Sequence, residues 1–233
     1  MGTLTESELK DEVKRALGNR DDMDSRLVRF LNLAQTKMAR THEFAELETV
    51  DDDTLSYSGT AATDKFFTIA NTVKNIYSFR IFDSAQSRKL TYIPPRKWDQ
   101  KIPLPEYYAT GWPDFYTRWR GKLEFWRVPN QAFSYEMRNS NWPTPFDDSS
   151  PNATSDFVEK DDIIIYLSIS WAFASLGKTQ KATEFWQFYR TAMNSAIGDD
   201  IVEPDLTIAP NVGGGIDGVA LGNYWADPFI GGV

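Results

Sequence analysis

Apolar positions recur three or four residues apart near both ends of the chain, a spacing that predicts amphipathic helices. Near the amino terminus, Thr5 and Glu8 have the spacing of a capping box, and the stripe behind them predicts a helix over residues 6–17. A second helix is predicted over residues 24–42. Its apolar face is formed by Leu27, Leu31, Ala34 and Met38.

Two further helices are predicted near the carboxyl end. Residues 163–176 alternate like a strand in part, but their length favours a buried helix that starts near Asp161 or Asp162 and is followed by Gly177. The next stripe predicts a helix that is capped by Thr179 and stopped by Gly198. Because the turn between these helices is very short, we expect an antiparallel helical hairpin.

The pattern changes to β character between these helical segments, where many aromatic residues and prolines are concentrated. Arg120-Gly121 predicts a hairpin turn between strands 116–119 and 122–126. Residues 133–138 are expected to continue this hairpin as a meander, which residues 142–146 then close. Further strands are predicted at residues 66–70, 73–82 and 89–93, with a turn at 84–88 and one helical turn at 96–101.

These elements predict an α+β fold. Its α-helical bundle combines residues 1–47, which hold two N-terminal helices, with residues 156–198, which hold the C-terminal helical hairpin. An inserted antiparallel β-domain spans residues 48–155. Residues 199–233 contain three prolines and a run of glycines, which predicts an extended C-terminal arm. We expect its large apolar residues to contact another chain; they are Tyr224, Trp225, Phe229 and Ile230.

The net charge of −8 argues against a module that grips nucleic acid, because phosphate binding requires clustered Lys and Arg. It does not argue against a conduit, since an acidic wall repels DNA. The absence of cysteine excludes disulfides and thiolate metal sites. His42, the only histidine, is interpreted as a helix-end residue, and Asp51-Asp52-Asp53 as a solvated turn rather than a calcium loop.

Catalytic patterns are weak. Gly213-Gly-Gly-Ile-Asp-Gly lacks the Lys-Ser/Thr of a phosphate-binding loop. Asp114 and Glu124 lie near aromatic residues, as paired glycosidase acids do, but surface carboxylates of this kind are common. We therefore expect no enzyme activity, no cofactor and no metal. The amino terminus has no apolar core typical of a signal peptide, and the longest apolar run is too short to cross a bilayer.

The order of the parts, together with several short motifs, resembles the head-to-tail adaptor proteins of tailed bacteriophages, of the tail tubular protein A type. The resemblance covers residues 5–197. The motifs that carry it are Leu31-Asn-Leu-Ala-Gln35, Tyr92-Ile-Pro-Pro95, Gly111-Trp-Pro-Asp-Phe-Tyr116, Lys122-Leu-Glu-Phe-Trp126 and Lys181-Ala-Thr-Glu-Phe-Trp186.

The resemblance implies a structural virion protein that forms a dodecameric ring at the head–tail junction after synthesis in the host cytoplasm. Its helical part would bind the portal protein, its β-part would face the tail or nozzle protein, and DNA would be ejected through the lumen without sequence-specific binding. It implies no contact with a membrane. Another neck or tail component, such as a head-closure protein, is an alternative reading, and a carbohydrate-binding module is a more distant one.

The proline-rich loop in the middle of the chain carries three aromatic residues that we expect to contact a neighbouring subunit or a tail protein. They are Tyr107, Tyr108 and Trp112. Most other aromatic residues of positions 91–146 are expected to fill the core of the β-domain.

Overall fold

The computed structural model describes residues 4–147 and 149–200, which form six α-helices and eight strands in a mixed α+β fold. The helices are α1 Glu6–Ala16, α2 Asp24–Thr41, α3 Ala61–Asp64, α4 Pro95–Lys101, α5 Asp161–Ser175 and α6 Thr179–Asp200. The strands are β1 Glu48–Thr54, β2 Phe66–Thr68, β3 Val73–Phe82, β4 Ser87–Lys89, β5 Thr91–Tyr92, β6 Phe115–Trp119, β7 Lys122–Trp126 and β8 Ser134–Asn141.

The capping box at the start of α1 is confirmed. The Glu8 backbone N–H donates to Thr5 Oγ1 over 3.3 Å, and the Thr5 N–H donates to the Glu8 carboxylate over 2.8 Å. The two bonds satisfy backbone groups that a helix start otherwise leaves unpaired. The helix ends before Gly18, whose φ of +83° is the left-handed conformation that glycine adopts without strain.

The hairpin of α5 and α6 is confirmed, and residues 163–175 are helical rather than extended. The predicted end of the last helix at Gly198 is wrong, because α6 continues to Asp200. A glycine costs only about 1 kcal/mol inside a helix. Contacts at the end of α6 offset that cost, since the Asp200 carboxylate lies 2.6 Å from His42 Nε2 and accepts from the Ala45 N–H over 3.3 Å.

Helices α1, α2, α5 and α6 share one hydrophobic cluster. Its fully buried members come from both helical segments, which therefore pack against each other. The largest of these side chains are Leu9, Leu27, Leu31, Met38, Phe44 and Phe157.

The strands form two four-stranded sheets, in the orders β1-β8-β3-β4 and β2-β7-β6-β5. The Arg120-Gly121 hairpin between β6 and β7 is confirmed. The predicted meander is wrong, because β8 leaves this hairpin and pairs with β3 and β1 in the other sheet. The chain turns away after Val128-Pro129, and the alternating residues Tyr135 and Met137 then bury their side chains between the sheets.

The predicted turn at Asp51-Asp52-Asp53 is also wrong, because these residues belong to β1. Pairing with β8 overrides the low β-propensity of aspartate. The Asn139 amide donates to the Asp51 carboxylate over 2.9 Å, and β1 lies at the edge of its sheet, where its charges remain hydrated. An edge position thus tolerates a sequence that resembles a turn.

Two other strand predictions change. The strand predicted at residues 89–93 is divided into β4 and β5, which belong to different sheets and are separated by buried Leu90. Strand β4 also includes residues 87 and 88, which were predicted as the end of a turn. Residues 142–146 form no strand. Trp142 and Phe146 pack instead against the helical cluster, because the chain returns there from β8 to α5.

A second hydrophobic cluster lies between the two sheets. Aromatic rings dominate it: the Phe79 ring centroid lies 5.3 Å from that of Tyr135 and 5.6 Å from that of Phe125. Arg118 on β6 ties the sheets together, because its guanidinium donates to the backbone carbonyls of Val73 and Lys74, each over 2.7 Å. The sheets therefore have a core of their own beside the helical one.

Candidate functional site

The loop of residues 104–112, here called the aromatic loop, presents large apolar side chains to solvent. Tyr107 is 81% exposed, and Leu104 and Tyr108 are each about half exposed. A short 3-10 turn, Pro105–Tyr107, holds this part of the loop outward. Exposed aromatic groups on a rigid support are typical of protein contacts.

Trp112 differs from the two tyrosines of the aromatic loop. Its ring centroid lies 4.5 Å from that of Phe133, and it packs against the cluster between the sheets. The Arg88 guanidinium covers it at 5.8 Å from the ring centroid. Tyr107 and Tyr108 thus project from the loop, whereas Trp112 fixes the loop to the sheets and offers only part of its surface.

An ion-pair network supports the aromatic loop from below. The Lys65 ammonium lies 2.9 Å from the Glu106 carboxylate and 3.8 Å from that of Glu124. The hydrogen bond from Lys65 lowers the pKa of Glu106. Burial raises the pKa of Glu124, although Trp119 Nε1 donates to this carboxylate over 2.9 Å. Lys65 therefore links the aromatic loop, through Glu106, to Glu124 of β7.

A second aromatic surface lies on the helical hairpin. Phe188 of α6 is 47% exposed, and its ring centroid lies 5.9 Å from Tyr166 and 5.7 Å from Phe185. Sequence reasoning placed Phe185 in the buried stripe of the last helix and overlooked Phe188. The signal was present, because Phe188 falls outside that stripe.

The helical and sheet parts meet at Glu43, which follows α2. Its carboxylate accepts hydrogen bonds from the Asn75 amide and, over 2.9 Å, from the Tyr77 hydroxyl, and it lies 3.3 Å from the Lys74 ammonium. Lys74 also donates to the Ala39 carbonyl over 2.6 Å. Burial raises the pKa of Glu43, but these partners outweigh it, and the pKa lies below its usual value. The junction is thus polar and specific.

A cleft of about 510 Å³ lies beside the end of α6. Lys160 pairs there with Glu46, and its ammonium also lies over the Phe44 ring at 5.0 Å. The cleft is otherwise acidic, because Asp162, Asp199 and Asp200 line it. Residues 201–233 continue the chain from this point, and the expected contact residues Tyr224, Trp225, Phe229 and Ile230 lie outside the described residues.

The carboxylates that suggested a glycosidase have structural partners. Asp114 accepts from Arg88 and lies 3.9 Å from Arg127, while Glu124 is held by Trp119 and Lys65. Within residues 4–147 and 149–200, no three His, Cys, Asp or Glu side chains are placed to hold a metal ion. No helix in the same part of the chain combines the length and apolar character needed to cross a membrane.

The model of the SU10 adaptor protein family matches residues 4–211, which include all the helices and strands of the described structure. No match was found among curated proteins. The family match supports a phage adaptor protein but does not confirm the narrower tail tubular protein A type that the motifs suggested. The chain belongs to the SU10 adaptor protein family, a family of bacteriophage adaptor proteins.

Proposed function

We propose that the protein is a head-to-tail adaptor of a tailed bacteriophage, a structural virion component that joins the portal to the tail or nozzle. The single observation that carries this proposal is the family match over residues 4–211. Because the match spans both hydrophobic clusters, it applies to the whole described fold. A structural role accounts for a molecule whose notable surfaces are exposed aromatic groups.

The two parts of the fold have separate tasks in this proposal. Residues 1–47 and 156–198 form the helical bundle that binds the portal, and residues 48–155 form the inserted β-domain that faces the tail. The separate core of each part supports this division, as does the polar junction around Glu43. Phe146, although it lies within residues 48–155, packs on the helical cluster and so fixes the return of the chain.

The proposed contact residues also fall into two groups, one in the β-domain and one in the C-terminal arm. Tyr107 and Tyr108 of the aromatic loop contact a neighbouring subunit or a tail protein, with Trp112 as their support. Tyr224, Trp225, Phe229 and Ile230 in the C-terminal arm bind the portal or a neighbouring copy. The contact between Asp200 and His42 fixes the last described residue before the arm.

We further infer that the protein assembles as a dodecameric ring whose lumen forms part of the DNA ejection channel. The net charge of −8 supports passage of DNA without binding, since like charges repel phosphate. No sequence-specific readout is required of such a channel.

Size-exclusion chromatography with light scattering tests the proposal on the full chain, alone and mixed with the portal protein of the same phage. The adaptor role predicts a complex whose mass exceeds that of the portal by many copies of this chain. A protein that stays monomeric beside the portal and binds a glycan would favour a carbohydrate-binding module. A ring that binds tail proteins but not the portal would favour another neck component.

A further inference from the structure

The sheet β1-β8-β3-β4 ends in two strands that each pair with only one neighbour. The outer edge of β1 is here called the acidic edge, and the outer edge of β4 the basic edge. A strand at the edge of a sheet offers a row of unpaired N–H and C=O groups that can pair with another chain. Both edges belong to one sheet, so one copy presents two such surfaces at once.

The register shows which residues face outward. On the acidic edge, the Leu55 N–H donates to the Phe133 carbonyl over 2.8 Å. Because hydrogen-bonded positions alternate along a strand, the backbone N–H and C=O groups of Val50 and Asp52 point away from β8.

On the basic edge, the Leu90 N–H donates to the Phe79 carbonyl over 2.8 Å. By the same alternation, the backbone N–H and C=O groups of Ser87 and Lys89 point away from β3.

Strand direction favours contact between unlike edges. Each neighbouring pair in this sheet is antiparallel, so β4 runs opposite to β1. When copies follow one another in the same orientation, β1 of one copy therefore lies antiparallel to β4 of the next. Antiparallel pairing is the slightly more stable way for two strands to pair. A head-to-tail contact that is repeated around an axis gives a closed ring when the rotation per subunit divides a full turn.

The charges on the two strands also favour pairing of the acidic edge with the basic edge. The seven residues of β1 contain four carboxylates, whereas β4 contains exposed Lys89 and also Arg88, which is paired with Asp114 of the same chain. All residues of β4 are exposed, and Val50 on the acidic edge is 57% exposed. Two acidic edges repel one another, as do two basic edges, while unlike edges attract. The charges therefore oppose a symmetric dimer and favour a head-to-tail series.

We propose that the basic edge of one copy pairs with the acidic edge of the next, so that the sheet continues from subunit to subunit. The proposal rests on the proposed ring and assigns its subunit interface. The partner is a second copy of this chain, and the contact consists of backbone hydrogen bonds flanked by Asp52 and Lys89.

Cross-linking tests the contact cleanly, because the chain has no cysteine of its own. The variant Val50→Cys/Ser87→Cys places one thiol on each edge and leaves the charges intact. Treatment of the full chain with a short bis-maleimide, with and without the purified portal protein, should give a ladder of dimers, trimers and longer species. Each single-cysteine variant can give dimers at most.

Charge reversal supplies the control. Added to the double-cysteine variant, Asp52→Lys or Lys89→Asp should lower the yield of species longer than dimers by about tenfold. The two together should restore it. Asp99→Lys, on the exposed face of α4, makes the same charge change away from the edges and should have no effect. Rings without a ladder would overturn this interface and leave the adaptor function standing, whereas monomers both with and without the portal would overturn both.

Discussion

Asn32 forms a clamp that can be tested in isolation from assembly. Its side-chain amide donates to the Phe146 carbonyl over 2.9 Å and accepts from the Phe146 N–H over 2.7 Å. These bonds attach the segment that leaves β8 to the middle of α2, where the Phe146 ring enters the helical core. The variant Asn32→Ala removes both bonds and leaves the two backbone groups to water.

The expected loss follows from the two bonds. A hydrogen bond within a protein contributes about 0.5–1.5 kcal/mol net, so the variant should lower the free energy of unfolding by about 1–3 kcal/mol. For a chain of this size, each kcal/mol corresponds to a shift of about 2–4 °C in Tm. Asn32→Asp should be at least as destabilising at pH 7, because a carboxylate faces the Phe146 carbonyl without a proton to donate.

Urea unfolding, followed by circular dichroism on the full chain, measures this loss. Arg29→Ala lies on the exposed face of the same helix and should stay within about 0.5 kcal/mol of the parent protein. Protonation below about pH 4 should reduce the penalty of Asn32→Asp, since the acid then has a proton to donate. If Asn32→Ala unfolds at the same urea concentration as Arg29→Ala, the clamp does not contribute as described.

Three further outcomes are expected. The pKa of Glu43 lies below its usual 4.5, so its contribution to stability is present above that pH and is lost as the pH falls through the folded value. The stability difference from Glu43→Gln should therefore vanish in acid in urea titrations. Arg118→Lys loses one of two carbonyl bonds between the sheets and should lower the unfolding free energy by about 1–2 kcal/mol. Deletion of residues 201–233, which retains Asp200, should leave a folded protein that binds the portal poorly in a pull-down assay. Unchanged binding would give the arm another role.

Strong local signals were sufficient to predict the four long helices α1, α2, α5 and α6, whereas the four-residue helix α3 was not predicted. The capping box of α1 and the apolar stripes required no knowledge of the rest of the chain, because 3.6-residue periodicity directly reports which face is buried. The strand β3 was predicted with its observed bounds, since six of its ten residues are β-branched or aromatic, a composition typical of strands. Long periodic segments therefore carried most of the correct predictions.

Strand pairing could not be read in the same way. Residues 133–138 alternate as a strand in any sheet, and nothing local shows that β8 passes to β1 and β3 rather than to β7. Asp51-Asp52-Asp53 has the composition of a turn, and only its pairing with β8 makes it a strand. Both errors concern contacts between residues that are distant in sequence.

The candidate contact surfaces were partly accessible from sequence. The prolines around the aromatic loop indicated an exposed segment, and Tyr107 and Tyr108 do lie at the surface, while Trp112 is partly buried for reasons that depend on Phe133 and Arg88. The unlike edges of the sheet were not accessible, because the edge position of β4 follows only from the topology.

The most direct test of the adaptor ring is an electron micrograph of the full chain mixed with the portal protein of the same phage. We predict that each portal carries an added ring of twelve copies of this chain, arranged around an open channel. Portal particles without added density, at concentrations of the chain well above that of the portal, would contradict the account.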